Sequence, residues 1–230
     1  MTKGRVICVT GIDTDIGKTI VTGLLGKYLR DRGKSAITQK ICQTGCQELS
    51  ADIIVHRKIM GMELVDEDKN GATCPYVFTE AASPHLAAKL ENIKINLQRI
   101  TEATSLLQQR YDFILLEGVG GLMVPLTEET LLIDYIQEQN YENILVSCSR
   151  LGSINHTLSA LEIMYNKGMG LNGIIYNRFF NDNESITEDS RMVFSTYLSR
   201  YGYQNNIVDI PTYHPESTDE RCDFSSVVLE

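Results

Sequence analysis

RVICVTGIDTDIGKT (Arg5–Thr19) is the stretch that decides how this chain reads. Its first six residues are mostly apolar and β-branched, as in a strand buried on both faces. A glycine-bounded turn, Gly11 to Gly17, then ends in Lys18-Thr19, and an amphipathic run, IVTGLLGKYL (residues 20–29), follows at once. Strand, Gly-rich turn, Gly-Lys-Thr and helix make the context of a phosphate-binding loop of Walker A type. The glycines let successive backbone N–H groups turn inward onto phosphate oxygens, and the helix start adds the positive end of its dipole. Lys18 has the reach for the β and γ phosphates of a nucleotide, and the Thr19 hydroxyl suits magnesium. Five residues, where the standard loop has four, separate Gly11 from Gly17, and two of them are Asp13 and Asp15. A bare carboxylate would repel a polyanion, so each is expected to carry a partner: a lysine, the metal or a substrate ammonium.

Working outward, apolar runs alternate with helical-period segments along the chain. Strands are expected at Arg5–Thr10, Ser35–Lys40, Tyr76–Phe78, Tyr111–Glu117, Asn143–Ser149, Leu171–Asn177 and Asn206–Ile210. Helices are expected at Lys18–Asp31, Ala51–Met60, Ser83–Glu91, Leu97–Gln109, Leu131–Gln139, Ile154–Asn166 and Thr187–Tyr201. Such alternation predicts an α/β fold of three layers, a mostly parallel sheet flanked by helices, of the P-loop NTPase type. The polar stretch NDNESITED (Asn181–Asp189) reads as a surface loop rather than a domain boundary, and residues 1–230 read as one domain.

In doubly wound sheets ligands sit at the carboxyl ends of the strands. Lys40 ends the second strand and opens the loop Ile41-Cys42-Gln43-Thr44-Gly45. Glu117 ends the FILLE strand where an acid is a natural magnesium ligand, and the following Gly118-Val119-Gly120-Gly121 offers N–H groups to an anion. After NILVSCS come Arg150-Leu-Gly-Ser153, where Ser153 reads first as a helix N-cap and the helix start as a place for a carboxylate. Asn177 ends NGIIYN without the lysine and aspartate that read guanine in GTPases, so its amide suits adenine better. Pro211 closes the sheet near the same place.

The loop GIDTDIGKT resembles the GTDTxxGKT loop of the dethiobiotin synthetases, with Ile12 in the usual threonine place. The Lys40 loop, YVFTEAASPHLAA (76–88), EGVGG, LGSINH (151–156), Asn177 and the Ile-Pro at 210–211 follow in that family's order. The resemblance implies ATP- and Mg2+-dependent joining of CO2 to 7,8-diaminopelargonate through a carbamic–phosphoric anhydride. It also implies a homodimer with a substrate site shared between subunits. By motif position, Lys18 and Lys40 are the catalytic lysines. Thr14, Asp15, Ile16, Gly17, Thr19, Ile20, Asn177 and Pro211 hold ATP, and Thr19, Asp52 and Glu117 surround the metal. Thr44, Gly118 and Gly121, with the N–H groups of Ser153, Ile154 and Asn155, hold the substrate. Here Ile41 replaces the proline that usually follows the loop lysine.

Twenty-one Lys and Arg against 30 Asp and Glu leave a net charge of −9, which disfavours nucleic acid and places phosphate binding in a local device. Six scattered cysteines without CxxC spacing, no segment of membrane-spanning length and no signal-like N-terminus fit a reduced, cytoplasmic protein. Two other readings share the P-loop. A cobyrinate a,c-diamide synthase-like ligase domain needs a glutamine-hydrolysing partner. A partition-type regulatory ATPase carries a further lysine where this chain has Gly11 and Ile12.

Overall fold

The computed structural model describes residues 3–180, 183–211 and 222–228. Its centre is a six-stranded sheet of β1 (Arg5–Gly11), β2 (Ala36–Lys40), β3 (Phe113–Glu117), β4 (Glu142–Cys148), β5 (Gly173–Asn177) and β6 (Ile207–Ile210). All pairings are parallel, in the order β2-β3-β1-β4-β5-β6. β3 and β2 therefore lie on one side of β1 and β4 to β6 on the other. The winding reverses at β1, which puts a crevice at the carboxyl end of the strand that carries the Gly-rich loop. β3 is buried at every position, which explains its unbroken apolar run.

The helices are α1 (Lys18–Asp31), α2 (Ala51–Ile59), α3 (Asp66–Lys69), α4 (Pro84–Leu90), α5 (Leu97–Leu107), α6 (Leu132–Gln139), α7 (Ser153–Asn166) and α8 (Glu184–Arg200). Alternate residues of the strands divide the core in two. Ile7, Val9, Leu115 and Val146 pack with Val21, Leu25 and Leu29 of α1 and with Phe224, Val227 and Val228 near the C-terminus. Cys8, Ile114, Leu116 and Leu145 pack against α5 to α8 on the opposite face. α2 lies on α1 at two glycines: a Cβ at Gly23 would stand 2.8 Å from Ile59, and one at Gly26 2.8 Å from Met60.

Three local expectations are corrected. Tyr76–Phe78 is not a sheet strand: Val77 makes one isolated parallel bridge to Gln43. Amides of Lys40 and Gln43 donate to the Thr73 and Tyr76 carbonyls (2.7 and 2.9 Å), so the segment covers the end of the β2 edge. The stretch 181–189 is not all loop, because α8 begins at Glu184, with the Asn183 side chain accepting from the Ile186 amide. Residues 181 and 182 lie outside the described residues. Asn183 and Glu184 suit an exposed helix start as well as a loop. Finally, Ser153 is not the N-cap of α7; Gly152, in a left-handed conformation, holds that place. Two short elements were not anticipated, α3 and a 3-10 turn at Arg178–Phe180.

Candidate active site

The loop between β1 and α1 encloses its phosphate cradle by backbone conformation. Gly17 is the N-cap of α1 at φ 96°, and its carbonyl accepts from the Val21 amide at 2.9 Å. A Cβ on Gly17 would stand 2.4 Å from Asn177 Nδ2, so a side chain is excluded both by φ and by space. Asn177 Nδ2 donates to the Ile16 carbonyl (2.9 Å), and its Oδ1 accepts from the Phe179 amide (3.1 Å). The amide thus ties the end of β5 to the loop and keeps one N–H and one lone pair for a ligand.

A cleft of about 1080 Å³ opens over the loop. Thr14, Asp15, Gly17, Lys18, Thr19 and Ile20 line one wall, and Lys40, Thr44, Asp52 and Glu117 another, with Asn177 at the rim of β5. Strand register brings the last group together, since Lys40 and Glu117 are direct partners across β2 and β3. Lys40 Nζ lies 2.7 Å from Glu117 Oε1 and 2.6 Å from Asp52 Oδ2, and Thr19 Oγ1 donates to Glu117 Oε1 at 3.1 Å. Burial alone would lower the Lys40 pKa, but Glu117 and Asp52 together raise it above the ordinary lysine value. Burial raises the Glu117 carboxyl, and Lys40 and His56 reverse that and bring it down to about 2.

Lys18 is placed differently. It is 6% exposed, and its Nζ donates to the Asp13 carbonyl at 2.5 Å. Burial first, and then the nearby Lys40 ammonium, lower its pKa to about 8. Glu117, Asp52 and Asp13 act on Lys18 only from a distance and form no ion pair with it among the described residues, so a polyanion supplies its direct counter-charge.

Of the two loop aspartates, Asp13 has its partner. Its Oδ2 is 2.6 Å from Arg150 Nη2, and its Oδ1 accepts from the Thr14 amide. Asp15 is exposed at φ 54° and forms no ion pair among the described residues. Other expected residues lie outside the cleft lining. The Ile16 side chain is fully buried, so only its backbone faces the loop. Gly118 packs against Leu132, and Gly121 stands close to the Ile12 carbonyl. Ser153, Ile154, Asn155 and Pro211 lie beyond the cleft, and the Ser153 amide already donates to the Arg150 carbonyl at 3.0 Å.

Sequence reasoning missed several residues. Val119, Gly120 and Val124, not Gly118 and Gly121, line the cleft, as do Phe179 and Phe180. Gln43 braces the Lys40 loop: its Oε1 accepts from Ser50 Oγ (2.8 Å) and from the Asp52 amide (3.3 Å). That anchors the loop to the start of α2 where proline is missing. His56, fully buried, bonds Glu117. Its position four residues after Asp52, on the same helical face, was the available signal.

A family model described as an AAA domain matches residues 5–210. The ATP-dependent dethiobiotin synthetase BioD of Chlorobaculum tepidum is 50% identical over 211 residues, covering 91% of this chain and 88% of that protein. The ATP-dependent dethiobiotin synthetase BioD 2 of Haemophilus influenzae is 53% identical over 176 residues, 76% of this chain and 92% of its own. Among solved structures, a ParA family ATPase from Chlorobium tepidum superposes with a TM-score of 0.53 at 15% identity, covering 92% of this chain and 85% of that chain. MinD in the MinC:MinD complex of Aquifex aeolicus superposes at 0.55 and 13% identity, covering 91% and 82%. At those identities the structures show the α/β P-loop fold alone. With half the residues shared along nearly the whole length, the chain belongs to the ATP-dependent dethiobiotin synthetase family.

Proposed function

We propose that this protein uses ATP and Mg2+ to join CO2 to 7,8-diaminopelargonate and close the ureido ring of dethiobiotin. The observation that carries the reading is the convergence of two buried lysines, Lys18 and Lys40, with Thr19, Asp52 and Glu117 in one cleft. The residues fit Mg2+. Carboxylate oxygens of Asp52 and Glu117 converge on the side of the cleft where the Thr19 hydroxyl stands 3.1 Å from Glu117 Oε1, so hard oxygen donors of the kind Mg2+ takes lie together beside the phosphate loop. No cluster of three or more His, Cys, Asp or Glu among the described residues is arranged to hold a metal unaided. This suits Mg2+, which takes most of its ligands from phosphate and water. When bound, Mg2+ neutralises charge on the transferring phosphate oxygens.

One substrate amine adds to CO2 and loses a proton to give a carbamate. A carbamate oxygen attacks the γ-phosphorus and ADP departs, leaving a carbamic–phosphoric anhydride. The second amine, once neutral, attacks the carbamoyl carbon, releases inorganic phosphate and closes the ring. Lys18, with the loop amides, holds the β and γ phosphates. Lys40, Thr14 and Thr44 stand where the carbamate and γ-phosphate meet. Their task is to place positive charge and donors where negative charge develops, the main need of phosphoryl transfer. The two further sites follow the family: Asn177 and Pro211 at the base, and the start of α7 at the distal carboxylate.

The chain acts as one cytoplasmic domain and as a homodimer in this reading. Free cysteines support the reducing compartment, and two apolar layers on one sheet support the single domain. Leu151, 89% exposed and next in sequence to the Arg150 that pairs with Asp13, supports an interface at the start of α7. Among the described residues no helix is long and apolar enough to cross a membrane. The test is ADP release in MgATP with and without diaminopelargonate and bicarbonate. The reading expects release that requires both; equal turnover with ATP alone would contradict it.

A further inference from the structure

We infer that His56 is a positioning residue for the metal-binding face of Glu117, an inference that rests on the Mg2+ reading above. His56 Nε2 and Glu117 Oε2 are 2.7 Å apart, with both side chains essentially buried. An ionised carboxylate only accepts, so the proton is on Nε2 and His56 is the donor. The bond divides the carboxylate. Oε2 is committed to the imidazole, and Oε1 is turned to Lys40 and Thr19, the side that lines the cleft. His56 Nδ1 is buried and has no partner among the described residues, so the ring's one fixed polar contact is Glu117.

A purely structural role fits less well. The neighbouring Arg57 already fastens α2, through Thr38 of β2 and Asp68 of α3, and Ser50 caps its first turn. The His56 bond reaches past those anchors to the strand end that faces the cleft. It resembles the hydrogen bonds that orient metal-ligating carboxylates from behind.

The experiment measures Mn2+ binding by paramagnetic resonance in the presence of a non-hydrolysable ATP analogue, alongside steady-state kinetics and thermal melting. His56→Leu removes the donor while nearly keeping volume. It is expected to weaken Mn2+ binding by roughly 10- to 100-fold, and to shift the Mg2+ dependence of turnover likewise, leaving the diamine KM unchanged. His56→Gln, whose amide reaches about as far as Nε2, is expected to restore metal binding, whereas the shorter His56→Asn is not. If His56→Leu fails to fold, the contrast between the Gln and Asn variants decides. Wild-type metal affinity in His56→Leu, or equal defects in the Gln and Asn variants, would overturn the inference. Glu117→Gln separates the two levels: if it leaves metal affinity unchanged, the Mg2+ reading itself fails. If it weakens binding while His56→Leu does not, the role of His56 alone fails.

Discussion

Two lysines of one chemical type meet opposite surroundings in this cleft. Lys40 is clasped by two carboxylates, whereas Lys18 is held by a backbone carbonyl beside the Lys40 ammonium, with Glu117 and Asp52 acting on it only at longer range. Lys18 is therefore suited to bind the polyphosphate outright, and Lys40 to act when charge moves onto the transferring group. Lys18→Ala is expected to raise the KM for ATP as well as lower kcat. Lys40→Ala is expected to lower kcat by about 10²- to 10³-fold with ATP affinity changed little, the loss typical of a donor aimed at developing charge. Steady-state kinetics at saturating diamine separates the two. Near-normal kcat in Lys40→Ala would remove that residue from the chemistry.

At the scale of elements, the cleft wall depends on a buried network beneath it. Arg57 of α2 donates to both carboxylate oxygens of Asp68 in α3 (2.9 and 2.7 Å) and to Thr38 Oγ1 in β2 (2.8 Å). Thr73 Oγ1 and the Val65 amide also donate to Asp68, at Oδ1 and Oδ2. Burial raises the Asp68 pKa, but Arg57 and the other donors outweigh it and leave it below the usual carboxylate value. A depressed carboxyl stabilises the fold above its unfolded pKa, about 3.9, and loses that contribution as pH falls through the folded value. Asp68→Asn is expected to cost about 3–5 kcal/mol in a urea titration at pH 7, because Arg57 is left buried and unpaired. The difference from wild type should shrink as pH is lowered below about 4. A loss under 1 kcal/mol would contradict the network's role. This network also marks the limit of what the sequence discloses. β1, β3, β4 and the ends that carry Lys40, Glu117 and Asn177 were legible because apolar runs stop at a polar residue where a strand leaves the core. Four-residue α3 has no periodicity to read. Tyr76–Phe78 has strand composition without strand partners, and His56 and Gln43 acquire their roles only when α2 packs over β2 and β3. Ser153 looked like a cap because Gly152, left-handed, performs that task one residue earlier.

For the whole molecule, the net charge of −9 and a polyanion site are compatible because the attraction is local. Two buried lysines, the loop amides and one helix start serve it, and the carboxylates beside them, Asp52 and Glu117, are engaged by Lys40. The homodimer reading makes its own demand on the start of α7. Leu151→Asp is expected to shift sedimentation from dimer to monomer and to raise the diamine KM, since each substrate site then loses its second wall. A dimer with unchanged KM would place the interface elsewhere. The central claim, however, is the reaction, and one measurement addresses it most directly. The protein is incubated with MgATP, 7,8-diaminopelargonate and ¹⁴C-bicarbonate, acidified, and assayed for label that survives loss of free CO2. The account predicts acid-stable label in a cyclic urea product in amounts matching the ADP formed, accumulating about 10²- to 10³-fold more slowly with Lys40→Ala. Intact ATP and no acid-stable label with the wild-type protein would contradict it.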